Sequence, residues 1–170
     1  YRTWEQAMQV EGARRIEALA GTTLDLGDGI VMTVLHPFIS GRGITSDEPH
    51  DYNVTTLLTY GDTSILLTGD MESDAEQILM NHGMPLDIDV LKIGHHGSRT
   101  SSSTAFLKAT TPQAAIISVG NNNRYRHPAP STLARLEQMN IPYYRTDLPG
   151  TIELVSNGKE FTLLTQRHEK

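Results

Sequence analysis

The sequence predicts an α/β fold with antiparallel hairpins at its flanks. From Ser64 onward, short apolar runs alternate with helix-period segments, which is the signature of strand–helix–strand units. Asp28-Gly29, Gly61-Asp62 and Asn157-Gly158 each interrupt a pair of strand-like runs, as tight hairpin turns do. Each apolar run in the regular part also ends in a cluster of polar residues. With 170 residues the chain is long enough for one domain with a real core.

The elements follow in order. Thr3 to Glu11 reads as a helix with Trp4, Ala7, Met8 and Val10 on its apolar side, stopped by Gly12. Strands are expected at Arg15–Ala20, Thr23–Leu26 and Ile30–Leu35, closed by Pro37. Ile39 to Asp51 carries glycines, acids and Pro49 without periodicity and reads as a loop. Val54–Tyr60 and Ser64–Thr68 form the next hairpin, followed by a helix of about a dozen residues after Asp70 that Gly83 ends. Ile88–Ile93 is a strand, Ser103–Ala109 a helix stopped before Pro112, and Ala114–Val119 a strand. Ser131–Met139 is a helix with Leu133, Leu136 and Met139 on one face, and Pro142–Arg145 is a short strand. Thr151–Val155 and Glu160–Thr165 make the closing hairpin. No repeat or low-complexity segment appears, so the reading is one unit over residues 1–170.

Composition narrows the chemistry. The absence of cysteine excludes disulfides, thiolate ligands and cysteine nucleophiles. A formal charge of −6 argues against coating nucleic acid by bulk electrostatics, though not against a local basic patch. No apolar run is long enough to cross a bilayer, and the start at Tyr1 shows neither a signal peptide nor an initiating methionine. The expectation is therefore a piece of something longer.

Successive strand–helix–strand crossovers are right-handed and leave the strands parallel, so their carboxyl ends share one rim where open α/β sheets bind ligands. In this sequence that rim receives Thr68-Gly-Asp70, then Gly94-His-His-Gly-Ser-Arg99, then the segment Gly120 to Pro128, and finally Arg145-Thr-Asp147. Four ordinary surface loops are the plain alternative. Asp70 suits a helix N-cap and equally a carboxylate bridging two divalent cations. His95 and His96 follow an apolar strand. On an extended segment adjacent side chains point oppositely, so one is expected to bind metal, with His96 favoured, and the other to pack or orient it. Ser98 offers a hydroxyl nearby and Asn121 an amide. His127 is a candidate proton donor to a leaving group, or hydrogen-bond donor to a phosphate oxygen. Arg99, Arg124, Arg126 and Arg145 add positive charge suited to a phosphodiester. His36, His50, His82 and His168 stand apart and read as structural or solvated, and Glu72, Asp74 and Glu76 suit the positive end of the following helix.

These residues resemble the metallo-β-lactamase fold, and more narrowly the extracytoplasmic hydrolase-like domain of ComEC-type competence proteins. The carrying segments are Ser64-Ile-Leu-Leu-Thr-Gly-Asp70 and Asp89-Val-Leu-Lys-Ile-Gly-His-His-Gly-Ser98, with Ile117 to Asn121, Tyr125-Arg-His-Pro128, Arg145-Thr-Asp147 and Gly150-Thr-Ile152 in support. Leu24 to Gly29 and Val34-Leu-His-Pro37 fit upstream, so the resemblance spans nearly the whole chain. It implies an αββα sandwich, here truncated. The family's first motif, His-x-His-x-Asp-His, has no counterpart in the sequence, and in the family it lies upstream of the part that matches.

The resemblance further implies two divalent ions, zinc or manganese, in the intact domain, with Asp70 and His96 or His95 as this chain's share of the ligands. Two protein ligands are too few for tight binding, so these residues alone are expected to bind metal weakly and to be inactive. The implied activity is a phosphodiesterase or nuclease acting on DNA during uptake at the extracytoplasmic face of a bacterial membrane. A non-catalytic DNA-guiding scaffold and a lactonase or thioester hydrolase are the alternatives, since fold does not fix substrate. The upstream half of the domain is the expected partner. Without it, an apolar sheet face should be left open and drive self-association.

Overall fold

The computed structural model describes residues 2–41, 52–148 and 150–166. Helix α1 (Arg2–Glu11) ends as expected at Gly12: the Gly12 and Ala13 amides donate back to the Gln9 and Met8 carbonyls. Its apolar side is not taken into the core, since Trp4 and Val10 stay exposed.

The main sheet has seven strands in sequential order: β1 (Thr23–Gly27), β2 (Ile30–His36), β3 (Thr55–Tyr60), β4 (Thr63–Leu67), β5 (Val90–Lys92), β6 (Ala114–Ile117) and β7 (Tyr143–Arg145). The first four pair antiparallel as hairpins, and the last four are parallel. Three crossover helices link the parallel strands, α2 (Ser73–Asn81), α3 (Thr104–Thr110) and α4 (Pro130–Gln138). At the β1–β2 turn Asp28 and Gly29 both take positive φ, which is why that dipeptide signals a hairpin. A second, two-stranded sheet of β8 (Thr151–Ser156) and β9 (Phe161–Gln166) follows. It is tied to the β3–β4 turn, where the Asp62 amide donates to the Gly158 carbonyl and the Thr63 and Ser156 hydroxyls pair at 2.7 Å.

The core lies between the main sheet and the crossover helices. Leu66, Leu91, Ala115 and Ile117 from the strands meet Leu79, Phe106, Leu107 and Leu136 from the helices, all of them fully or almost fully buried. On the opposite face, Leu24, Met32, Leu58, Ile65 and Val90 are register partners across five strands. Their burial grades from exposed at Leu24 to complete at Val90.

Two expectations need correction. No strand forms at Arg15–Ala20: β1 occupies the free edge of β2, and the segment is joined to the chain after β2 by the Ala20 amide on the Pro37 carbonyl and by Ser40 donating to Glu17. The helix after Asp70 is nine residues long, because Asp70-Met71-Glu72 is held as a loop and the helix starts only at Ser73. Most of the loop expected at Ile39–Asp51, with His50, lies outside the described residues, as does His168.

A candidate metal centre at the strand ends

The carboxyl ends of β4, β5 and β6 meet at one rim, and the local backbone explains how. After β4, Thr68 donates its hydroxyl to the Lys92 carbonyl at the end of β5. Gly69 turns with φ +57°, and a Cβ there would lie 2.3 Å from the Asn53 amide oxygen, so the close approach requires glycine. That amide oxygen accepts the Asp70 N–H at 2.8 Å, while Asn53 Nδ2 donates to the Thr68 carbonyl at 2.7 Å. Asn53 thus fixes the Asp70 backbone from both sides. Asp70 is not the helix cap; Glu72 stands at that position and makes no side-chain capping bond there.

After β5 the chain enters a tight 3₁₀ turn, Gly94–Gly97, in which both histidines adopt the left-handed region: His95 at φ 45°, ψ 45° and His96 at φ 54°, ψ 23°. Two consecutive non-glycine residues there cost on the order of 1–2 kcal/mol each. Backbone strain of this kind persists only where surrounding structure imposes it, and it concentrates at functional sites. The expectation of an extended His-His pair with opposed side chains is therefore wrong, since the turn sends both rings toward the rim. Gly97 closes it with φ +82°, its Cα pressed so close to Pro128 that a Cβ would meet the proline Cβ at 2.6 Å.

Each ring is oriented by its Nδ1. His96 Nδ1 donates to the Ser118 carbonyl at 2.7 Å, and His95 Nδ1 donates to Glu72 Oε1 at 2.8 Å. In that tautomer Nε2 carries the lone pair, as a metal-ligating imidazole requires. His96 Nε2 stands 3.6 Å from Asp70 Oδ1. That is too long for a hydrogen bond. Two donors each about 2.1 Å from one tetrahedral ion are about 3.4 Å apart. Asp70 and His96 are thus spaced as two ligands of one ion. Among the described residues no group of three or more His, Cys, Asp or Glu side chains is placed to hold a metal ion. The donor set accordingly fits two corners of a coordination shell and does not complete it.

Other expected residues fall unevenly. His127 joins the rim, its ring 5.7 Å from that of His95. Desolvation, and then the two neighbouring histidines, lower its pKa below the usual imidazole value. Ser98 is buried, and its hydroxyl pairs with Thr100 Oγ1 at 2.8 Å. Asn121 is exposed on the loop after β6, where Asn123 does the bracing. Arg145 is bound in bidentate fashion by Asp147 at 3.0 and 2.7 Å, which removes it from the set of arginines available to a phosphate. His36 is buried with Nδ1 on the Asn53 carbonyl, and His82 caps α2 while stacking on Phe38, both structural as expected.

The sequence did not single out Asn53 and Lys92, and it read Glu72 and Glu76 only as suiting the positive end of the following helix, where the structure gives them other partners. Lys92 is largely withdrawn from water, with Nζ donating to the Gly69 and Ile93 carbonyls; burial lowers its pKa and Asp70 partly restores it. Glu72 accepts from both His95 and the Thr100 hydroxyl. Glu76 is fully buried and binds the Ser102 and Ser103 amides at the start of α3, so it serves a different helix from the one it sits on.

Comparison with known proteins agrees with this geometry. Residues 5–121 match the model of the metallo-beta-lactamase superfamily. ComE operon protein 3 of Bacillus subtilis (strain 168) is 38% identical over 151 residues, covering 87% of this chain and 18% of that protein. Competence protein ComA of Neisseria gonorrhoeae is 40% identical over 94 residues, covering 55% of this chain and 14% of its own length. Recombination protein 2 of Haemophilus influenzae is 34% identical over 116 residues, covering 68% and 14%. The chain therefore spans less than a fifth of each of these relatives. With the parallel strand ends, the Thr-Gly-Asp loop and the His-His turn in place, the match over residues 5–121 establishes that the chain belongs to the metallo-β-lactamase superfamily.

Proposed function

We propose that this chain supplies part of a metal-dependent phosphodiesterase that acts on DNA during its uptake, on the extracytoplasmic face of a bacterial membrane. The observation that carries the reading is the Asp70–His96 pair at 3.6 Å, with His96 locked by Ser118 in the tautomer a ligand needs. The similarity to one protein named for competence and another named for recombination supports DNA as substrate. The remaining ligands would come from outside the described residues.

Asp70 and His96 would hold zinc or manganese, and Asp70 has a second carboxylate oxygen with which to bridge to another ion. Such ions supply Lewis-acid polarisation of a phosphate oxygen and a water activated at neutral pH. His95, braced on Glu72, either adds a ligand or orients the site. His127, on the same rim, donates a ring N–H to a phosphate oxygen. Exposed Arg99 and Arg126 place positive charge beside the rim for the strand's phosphates.

The test is hydrolysis of a short DNA and of a chromogenic phosphodiester by the parent protein's complete domain, with Mn²⁺ or Zn²⁺. Turnover should require the metal and vanish in Asp70→Ala. Full turnover in excess chelator would refute the reading, and cleavage of a lactone or thioester in place of DNA would replace it.

A further inference from the structure

The loop after β6 presents an aromatic ring that the site described so far does not use. Tyr125 is 65% exposed. The Arg124 guanidinium lies over its ring, 4.7 Å from the centroid, and also donates to its hydroxyl. On the inner side the ring runs nearly parallel to His127, with 16° between planes and 5.8 Å between centroids. His127 in turn meets His95. A file of flat groups therefore leads from solvent to the Asp70–His96 pair.

The loop is built to hold that ring out. Asn123 closes it on itself: its amide nitrogen donates to the Gly120 and His127 carbonyls at 3.0 and 2.8 Å, and its amide oxygen accepts the His127 N–H at 2.8 Å. Beyond Pro128, the Ala129 amide donates to the Gly97 carbonyl at 2.8 Å, which locks the loop to the His-His turn. Tyr125 thus keeps a fixed position relative to His95 and His96 while remaining open to solvent.

We infer that the Arg124–Tyr125 pair is a stacking platform for an unpaired base, so that the site takes a single-stranded stretch or frayed end of DNA instead of an intact duplex. The inference rests on the phosphodiesterase reading. Every base has a flat face that stacks on an aromatic ring or a guanidinium, whereas the bases of a duplex are already stacked on one another. The exposed guanidinium of Arg124, backed by the Tyr125 ring, presents the outermost flat face of this file to the base of the adjoining nucleotide, and its charge adds a cation–π contact to the stack.

The experiment uses the 170-residue chain at low salt and three labelled probes: a short oligothymidylate, an abasic strand of the same length, and a blunt duplex. The oligothymidylate should bind better than the other two. When it carries 5-iodouracil, its photocrosslink should map to the peptide containing Tyr125. Tyr125→Ala should weaken oligothymidylate binding roughly tenfold, leave the abasic strand within about twofold, and be rescued by Tyr125→Trp. Equal affinity for the abasic strand and the oligothymidylate, or an unchanged affinity in Tyr125→Ala, would overturn the platform and leave the phosphodiester reading standing. Failure to bind any of the three would count against that reading first and take the platform with it.

Discussion

Replacing Glu76 should loosen the backbone behind the His-His turn by an amount the contacts allow one to work out. Its fully buried carboxylate accepts the Ser102 and Ser103 amides. From the other side, Arg135 of α4 donates to the Ser101 and Ser102 carbonyls at 2.7 and 2.9 Å. In Glu76→Ala the Ser102 amide, itself buried, is left without an acceptor, at a cost of about 1–3 kcal/mol. The lost Cγ methylene adds about 0.8 kcal/mol and the lost bond to the Ser103 amide about 1 kcal/mol. Relief of the carboxylate's desolvation offsets part of this, leaving a net loss of about 3 kcal/mol. For a chain of this size that lowers Tm by roughly 6–12 °C. Glu76→Gln keeps one acceptor and should lose less than half as much. Urea unfolding followed by circular dichroism measures both. The pH dependence gives a second reading. Burial raises the Glu76 pKa above its ordinary 4.5, so the native state holds this proton more tightly than the unfolded chain. Its contribution therefore declines as pH climbs from about 4.5 through the raised native value and is flat above it. The Gln variant should lack that decline. A loss under about 0.5 kcal/mol in Glu76→Ala, or wild-type stability rising relative to Glu76→Gln across that window, would refute the reasoning.

Three further outcomes follow from the same contacts. Asn53→Ala removes the acceptor of the Asp70 amide and should cost about 1–2 kcal/mol in urea unfolding, and Asn53→Asp, which keeps that acceptor but sets a carboxylate oxygen against the Thr68 carbonyl, should not recover the loss. The His127 ring should titrate by NMR below the ordinary value of 6.5 and move back toward it in His95→Gln; a midpoint at or above 6.5 in the wild type would contradict its burial beside two histidines. The open row Leu24, Met32 and Leu58, beside exposed Leu26, should drive self-association of this chain. Light scattering should show mass growing with concentration, and Leu26→Lys should suppress it; a strict monomer at high concentration would sink the idea.

Much of the parallel half was legible because its signals are periodic. Apolar runs at Val90–Lys92 and Ala114–Ile117, with helices between, specify parallel strands, and parallel strands bring their ends to one rim. That logic placed Asp70, His96 and His127 together before any coordinates. What it could not give was the geometry inside the rim. The left-handed pair His95-His96 has no firm sequence signature, since histidine enters positive φ far less often than glycine, and the alternation rule for extended chains misled. Asn53, seventeen residues before Asp70, reaches it only because β3 and β4 are adjacent, and nothing in its local sequence marks it. The same holds for Arg145: its charge is visible in sequence, but its neutralisation by Asp147 depends on how the backbone turns after β7.

The central claim is that Asp70 and His96 are ligands of one ion, and calorimetric titration with Mn²⁺ and Zn²⁺ tests it most directly. The protein to use is the parent's complete domain, compared with Asp70→Asn and His96→Gln, whose side chains keep similar shape but lose the charge or the imidazole. The account predicts two ions per wild-type domain, with each substitution costing at least about tenfold in affinity and His95→Gln costing less. Unchanged stoichiometry and affinity in both Asp70→Asn and His96→Gln would contradict it and leave the 3.6 Å pair without a metal to explain it.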